Sequence, residues 1–107
     1  MSCELRQFIV MNERLKSIKK MLAEGHCEAA VKALYDVLAE AGQTGDTASE
    51  ADAYYLLGNA CRKTGDWQGA LNFYQEAIDR NPEGPAASAR SMAMDILNFY
   101  NKDMFNQ

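Results

Sequence analysis

Long hydrophobic runs are missing from this sequence, since no stretch of 18 residues is apolar throughout and a membrane-spanning helix needs about 20. The first ten residues, MSCELRQFIV, lack the basic start and apolar segment of a secretory signal, so we expect no leader peptide. Positive charge is also scarce, because the net charge is −4. Nucleic-acid-binding domains are typically basic. These absences argue against a membrane protein, a secreted chain and a nucleic-acid binder.

Cysteine and histidine are too few and too scattered for most catalytic or metal chemistry. The three cysteines show no CxxC spacing, and an odd number without a disulfide framework predicts free thiols in a reducing cytoplasm. His26 precedes Cys27, but a Cys–His nucleophile needs a hydrogen bond between the two side chains and a third, orienting group. No zinc-ligand spacing, Gly-rich phosphate loop or carboxylate pair accompanies them. We therefore expect no catalytic residue, no metal and no cofactor, and a protein that is not an enzyme.

Helical periodicity, in contrast, runs through most of the chain. Apolar residues recur with a 3.6-residue period in five segments, at about residues 5–24, 28–41, 51–63, 66–80 and 85–100. A chain of 107 residues suits one domain. The pattern predicts an all-α fold, an antiparallel helix–turn–helix array of about five helices.

The breaks between these segments carry turn and cap residues. Gly25 is a natural helix stop, because glycine tolerates the left-handed conformation at a helix end. The stretch 42–50 is polar and contains two glycines, which is typical of a loop. Thr47 or Ser49 is expected to cap the third helix, and Asp66 the fourth.

The stretch 51–84 reads as a complete helix–turn–helix unit. Small residues stand where two antiparallel helices must meet, namely Gly58, Ala70 and Ala77. Large apolar residues fill the space around them: Tyr54, Leu57, Trp67, Leu71, Tyr74 and Ile78. Gly65-Asp66 interrupts the unit in the middle and Asn81-Pro82 ends it. Such a unit is a packing module, and it indicates protein–protein recognition.

A weaker copy of the unit lies earlier in the chain. The stretch GHCEAA at 25–30 aligns with GDWQGA at 65–70. Ile18 stands opposite Gly58, so we expect the helices of the weaker pair to lie further apart. The single domain then divides into an N-terminal extension (1–10), a degenerate repeat (11–44), a loop (45–50), a strong repeat (51–84), a capping helix (85–100) and a tail (101–107).

The strong repeat resembles a tetratricopeptide repeat, because Leu57-Gly58, Ala70, Tyr74, Ala77 and Pro82 stand at that family's spacings. The resemblance is strong over 51–84 and weak over 11–44, and the last helix resembles the family's solvating end helix. It implies an antiparallel helix array whose concave groove holds a peptide or helix of a partner protein.

The resemblance also implies which residues line that groove. They are Asn12, Leu15, Lys19, Leu22 and Ala23 in the weak repeat, Asp52, Tyr55, Asn59, Arg62 and Lys63 in the strong repeat, and Ala86, Ala89, Ala93, Ile96 and Leu97 in the cap helix.

Five of these residues are the candidates for partner binding: Lys19, Tyr55, Asn59, Arg62 and Lys63. Tyr55 offers a flat apolar surface, and Asn59 has both a donor and an acceptor for a peptide backbone. The three cations can attract carboxylates, so an acidic segment is one candidate partner. Arg62 and Lys63 also end a helix, where cations favour the dipole whatever the function.

One subset of the family holds acidic chaperone tails through a clamp of Lys, Asn and Arg. Leu15, Leu56 and Ala86 occupy three of the clamp positions here, Lys19 replaces the Asn of a fourth, and only Arg90 matches. We therefore do not expect a chaperone-tail adaptor.

Two functions follow from this reading. The leading hypothesis is a cytoplasmic, non-enzymatic adaptor or scaffold that binds a protein segment in the groove and has neither a nucleic-acid nor a membrane partner. The alternative is a self-associating structural subunit, such as a homodimer. For that alternative Met92, Ile96 and Phe99 are expected to cover the second repeat. The other large apolar residues of this region are then left over, Met94 among them, and four of them are the candidate oligomer surface: Leu97, Tyr100, Met104 and Phe105.

Overall fold

The computed structural model describes the backbone of residues 3–105 and the side chains of residues 10–99. Residues 3–105 form five α-helices and no strand, so the predicted all-α helical repeat fold is confirmed. The helices are α1 (Cys3–Ala23), α2 (Cys27–Thr44), α3 (Thr47–Lys63), α4 (Trp67–Arg80) and α5 (Ala86–Phe105). Within the described residues, no helix is both long and apolar enough to span a bilayer.

The helices stack in chain order, each packing on the next, and α1 also contacts α3. The array is elongated, with principal extents of 63 × 27 × 18 Å and a radius of gyration of 15.2 Å. A compact chain of this length has a radius of about 13 Å. Because α1 and α3 contact each other, side chains of both helices contribute to one surface of the array.

Three turns of the same kind, evenly spaced along the chain, join the first four helices. Each contains a glycine with positive φ: Gly25 (87°), Gly45 (72°) and Gly65 (86°). The residue after each glycine donates its backbone N–H to the carbonyl five residues earlier, which is the Schellman arrangement that closes a helix. One glycine and the residue after it therefore end one helix and start the next.

The connection between α2 and α3 differs from the expected loop over 42–50 and from the 45–50 loop of the domain division. Helix α2 continues to Thr44 and α3 begins at Thr47. The polar residues of this stretch are helical because the turn at Gly45 needs only one further residue, Asp46. The polar composition of residues 42–50 predicted an exposed loop. The connection between the two helices is shorter than predicted, since only Gly45 and Asp46 lie between them.

The caps follow from the same turns. Asp46 caps α3, because its carboxylate accepts from the backbone N–H of Ser49 at 3.1 Å and from the Ser49 hydroxyl at 2.6 Å. The expectation that Thr47 or Ser49 is the cap was therefore wrong. Asp66 caps α4 as predicted, through the N–H of Gly69 at 2.9 Å. His26 occupies the equivalent position before α2 and makes no capping hydrogen bond.

Helices α3 and α4 meet where Gly58 faces Tyr74. A Cβ atom at position 58 would lie 2.5 Å from Cδ1 of the Tyr74 ring and would overlap Cε1 as well. Tyr74 is fully buried, and Ala70 and Ala77 are buried on the same face of α4. The small residues therefore stand where the sequence placed them, and the ring fills the space that glycine leaves.

Two clusters of buried side chains form the core. The first joins α1, α2 and α3 and includes Leu15, Ile18, Leu34 and Leu57. Ile18, which aligns with Gly58 of the strong repeat, is only 3% exposed. An aliphatic side chain of the weaker pair is therefore buried at the position where the strong pair has a close contact at glycine. Leu15 is core, which corrects its assignment to the groove.

The second cluster joins α4 to α5 and reverses the expected faces of the last helix. Ala86, Ala89 and Ala93 are buried against α4, so they do not line the groove. Met92 is 52% exposed and Phe99 is 66% exposed, although both were expected to cover the second repeat. Small alanines let α5 lie close to α4, and Met94 and Leu97 pack beside them partly buried, whereas Met92 and Phe99 are exposed. Helix α5 also continues beyond the expected end at residue 100, to Phe105.

The Gly58–Tyr74 contact predicts opposite effects for two glycine-to-alanine changes. Gly58→Ala should lower the free energy of unfolding by about 1–2 kcal/mol, because overpacking outweighs the better helix propensity of alanine. Gly42→Ala, also in a helix but with open space around its Cβ position, should raise it by about 0.5 kcal/mol. Urea denaturation of the two variants measures the difference. A Gly58→Ala protein as stable as the Gly42→Ala protein contradicts the close contact.

The uncapped start of α2 predicts a stabilising substitution. The backbone angles of His26 (φ −85°, ψ 60°) are close to those of Asp46 and Asp66. His26→Asp should therefore gain a cap and about 0.5–1 kcal/mol, whereas Asp46→Ala should lose about 1 kcal/mol. Thermal unfolding followed by circular dichroism compares both with the wild type. If His26→Asp leaves the midpoint unchanged, the three turns are not equivalent.

Candidate functional site: the groove between α1 and α3

A concave pocket of about 320 Å³ lies between α1 and α3. It is lined by Lys19, Leu22 and Ala23 from α1 and by Tyr55, Leu56, Asn59, Arg62 and Lys63 from α3. The structure thus brings together all five residues selected from the sequence. Leu56 is an additional lining residue, and its place at a clamp position of the resemblance was the signal for it. We call this pocket the α1–α3 groove.

The cations of the groove form no ion pair with the carboxylates of residues 10–99. Arg14 pairs with Glu40, and Arg80 lies 3.8 Å from Glu50 and 3.1 Å from Glu76. Within the part of the chain whose side chains are described, neither Lys19, Arg62 nor Lys63 takes part in an ion pair. In this acidic protein the groove therefore brings together three positive charges that no ion pair with a described side chain neutralises.

Asn59 is held by a neighbour in the core. The hydroxyl of Tyr74 donates a hydrogen bond to Oδ1 of Asn59 at 2.5 Å. In the described residues, Nδ2 of Asn59 has no hydrogen-bond partner. The expectation that Asn59 presents both a donor and an acceptor is therefore refined, because its oxygen is engaged and its two N–H groups remain.

Tyr55 is partly buried rather than fully displayed. Its ring lies 5.9 Å from the ring of Tyr74, tilted by 37°, and it packs on both core clusters. One part of the side chain therefore packs on the core, while another part lines the groove. The ring is fixed by its neighbours, which gives the groove a rigid apolar wall.

Two titratable groups near the groove have shifted pKa values. Burial raises the pKa of Tyr74, and the nearby Arg62 lowers it by a smaller amount. The pKa of Asp52 is also raised, mainly because neighbouring side chains displace water, while Lys19 acts in the opposite direction. Asp52 does not line the pocket, although the sequence assigned it to this face. Its carboxylate is close enough to Lys19 to moderate that charge.

His26, Cys27 and Cys61 do not line the groove. His26 and Cys27 line a shallow depression at the turn between α1 and α2, and Cys27 also shares a separate cavity of about 270 Å³ with Cys61. Both cysteines are free thiols, and burial raises the pKa of Cys61. Among the described residues no three His, Cys, Asp or Glu side chains are grouped so that they could hold a metal ion.

The exposed residues of α5 in the described part of the chain differ from those predicted for self-association. Leu97 is partly buried and packs on the cluster between α4 and α5, so it is not the exposed residue that was expected. Tyr100, Met104 and Phe105 lie outside the residues whose side chains are described. The exposed apolar side chains of α5 in the described part are Met92 and Phe99.

Comparison with known proteins agrees with this architecture. The sequence profile of the tetratricopeptide repeat matches residues 51–83. The structure is similar to the solution NMR structure of Bacteroides fragilis protein BF1650, with a TM-score of 0.73 and 56% sequence identity over 87% of this chain and 89% of that chain. No curated protein matches the chain.

The fold and the repeat match define a short helical repeat protein of the protein-interaction class. The repeat match and the structural similarity place it in a family: the chain is a small tetratricopeptide repeat protein. Proteins of this type are in general scaffolds that bind other proteins and are not enzymes.

Proposed function

We propose that the protein is a cytoplasmic, non-enzymatic adaptor that binds a segment of a partner protein in the α1–α3 groove. One observation carries the proposal: three cations, none of them ion-paired with a described side chain, share a concave pocket with Asn59 and Tyr55. A concave surface with a few convergent polar groups is the usual form of a binding site. The placement in the cytoplasm rests on the cysteine pattern of the sequence.

The charge of the groove favours an acidic partner segment. The whole chain carries a net charge of −4, yet the groove is basic. Such a local field steers oppositely charged ligands and weakens as salt screens it. The groove therefore discriminates by charge, and its affinity should fall with ionic strength.

Charge reversal in the groove is the direct test. Arg62→Glu/Lys63→Glu should abolish or strongly reduce capture of a partner from native lysate, because carboxylates would then face carboxylates. Affinity capture read by mass spectrometry compares this variant with the wild type. Circular dichroism checks that the helical content is unchanged.

A matched control is available on α1. Lys16→Glu/Lys20→Glu changes the net charge by the same amount on exposed residues outside the groove, and Lys20, like Lys63, lies in the last turn of its helix. It should capture the same partner as the wild type. If both double variants lose the partner equally, net charge and not the groove explains binding, and if both retain it, the groove is not the binding surface.

Self-association through α5 is the second candidate, and it is favoured by the outward position of Met92. The mass in solution, measured by light scattering at high concentration, decides this alternative. A dimer that dissociates in Met92→Glu supports self-association. A monomer at all concentrations rejects it.

A further inference from the structure

The hydrogen bond between Tyr74 and Asn59 connects the core to the α1–α3 groove. Tyr74 is fully buried, and its ring is held against Gly58, where a Cβ atom would not fit. Its hydroxyl reaches Asn59, whose side chain lines the groove. A buried group thus determines the orientation of a group at the binding surface.

The orientation of the Asn59 amide determines what the groove can bind. An amide has an oxygen that accepts and an NH₂ that donates, and it can rotate to present either. When Oδ1 accepts from Tyr74, the NH₂ is the end that remains available. Lysine and arginine side chains have donors and no acceptor. Apart from the Tyr55 hydroxyl, the polar side chains lining the groove therefore present donors alone.

We propose that Tyr74 is a positioning residue that makes the groove selective for carboxylates, by holding the Asn59 amide with its NH₂ toward the bound segment. The occupant is then an acidic segment of a partner protein, with an oxygen of that segment accepting from Asn59. This inference rests on the proposed function of the groove. It adds the reason why a neutral amide and three cations act together.

Other segments fit the same groove poorly. A segment rich in lysine would place like charges together. A segment rich in glutamine can offer an amide oxygen as acceptor, but it has no negative charge to strengthen the hydrogen bonds. Tyr74 can donate to Asn59 only while its hydroxyl is protonated. Burial raises the pKa of Tyr74, so the hydroxyl keeps its proton at neutral pH. Tyr74 therefore remains a donor in the conditions under which binding occurs.

Two labelled peptides test the selectivity. One has alternating glutamate and glycine, and the other has glutamine in place of each glutamate. Fluorescence anisotropy should show the wild type binding the glutamate peptide more tightly by roughly tenfold or more, the factor of a charge-assisted hydrogen bond. Tyr74→Phe should reduce this ratio by roughly three- to tenfold, because the freed amide rotates and accepts from the glutamine peptide.

Tyr54→Phe is the matched control. It removes a hydroxyl from a partly buried tyrosine of α3 whose ring stacks on Phe73, and which does not line the groove. Its peptide ratio should equal that of the wild type. An unchanged ratio in Tyr74→Phe, with the fold intact by circular dichroism, overturns the positioning role.

A measurement on the wild type keeps the proposal testable even if Tyr74→Phe unfolds. The side-chain NH₂ signals of Asn59, assigned by their loss in Asn59→Ser, should shift in an ¹⁵N spectrum when the glutamate peptide is added, and should shift less with the same concentration of the glutamine peptide. Signals that do not shift overturn the proposal.

The outcomes separate this inference from the proposed function. If Arg62→Glu/Lys63→Glu loses the glutamate peptide while Tyr74→Phe keeps the full ratio and the Asn59 signals do not shift, the groove is right and the positioning role is wrong. If the wild type does not bind the glutamate peptide at all, both the acidic partner and the positioning role are rejected.

Discussion

The contact between Gly58 and Tyr74 is the constraint on which the rest of the structure depends. Because position 58 has no side chain, the Tyr74 ring lies directly on the backbone of α3 and is fully buried. That position lets the Tyr74 ring pack on Tyr55 and lets its hydroxyl reach Asn59. A packing requirement of the helix pair therefore also determines the chemistry of the groove. Core and surface cannot be varied independently at this point.

The turns make the array regular despite its uneven repeats. The glycine turns at Gly25, Gly45 and Gly65 recur at equal spacing and use the same backbone hydrogen bond. Each one both closes a helix and provides the N-cap position of the next, so little chain is spent between helices. The degenerate first pair keeps the glycine turn of the strong pair, although Ile18 stands where the strong pair has Gly58.

The ion pairs of the described residues lie outside the groove. Arg80 is held by Glu50 and Glu76 and lies 4.6 Å above the Tyr54 ring, which ties α3 to α4 away from the groove. Arg62 and Lys63 complement the dipole at the end of α3, and this holds them at low energetic cost without a carboxylate. The helix dipole therefore explains why Arg62 and Lys63 are tolerated at the end of α3, and this explanation is compatible with a role in binding.

The sequence by itself determined the helical class, the strong repeat and the Asp66 cap, all of which depend on neighbours in the chain. Periodicity and the small residues Gly58, Ala70 and Ala77 are local signals, and the structure places them as they predicted. The second glycine turn could also have been predicted, since Gly45-Asp46 repeats Gly65-Asp66, but the polar residues around it resembled a loop. Asp46 was missed as a cap for the same reason.

Only the tertiary structure decided which faces were covered and which atoms were engaged. Alanine and methionine are both acceptable on α5, so periodicity alone did not show that Ala89 and Ala93 are buried while Met92 is exposed. Helix α5 packs closely on α4 at Ala89 and Ala93, and a close helix contact accommodates a methyl group and not a long side chain. Likewise, the sequence named Asn59 but not its partner, since Tyr74 lies on the next helix and reaches it across the helix pair.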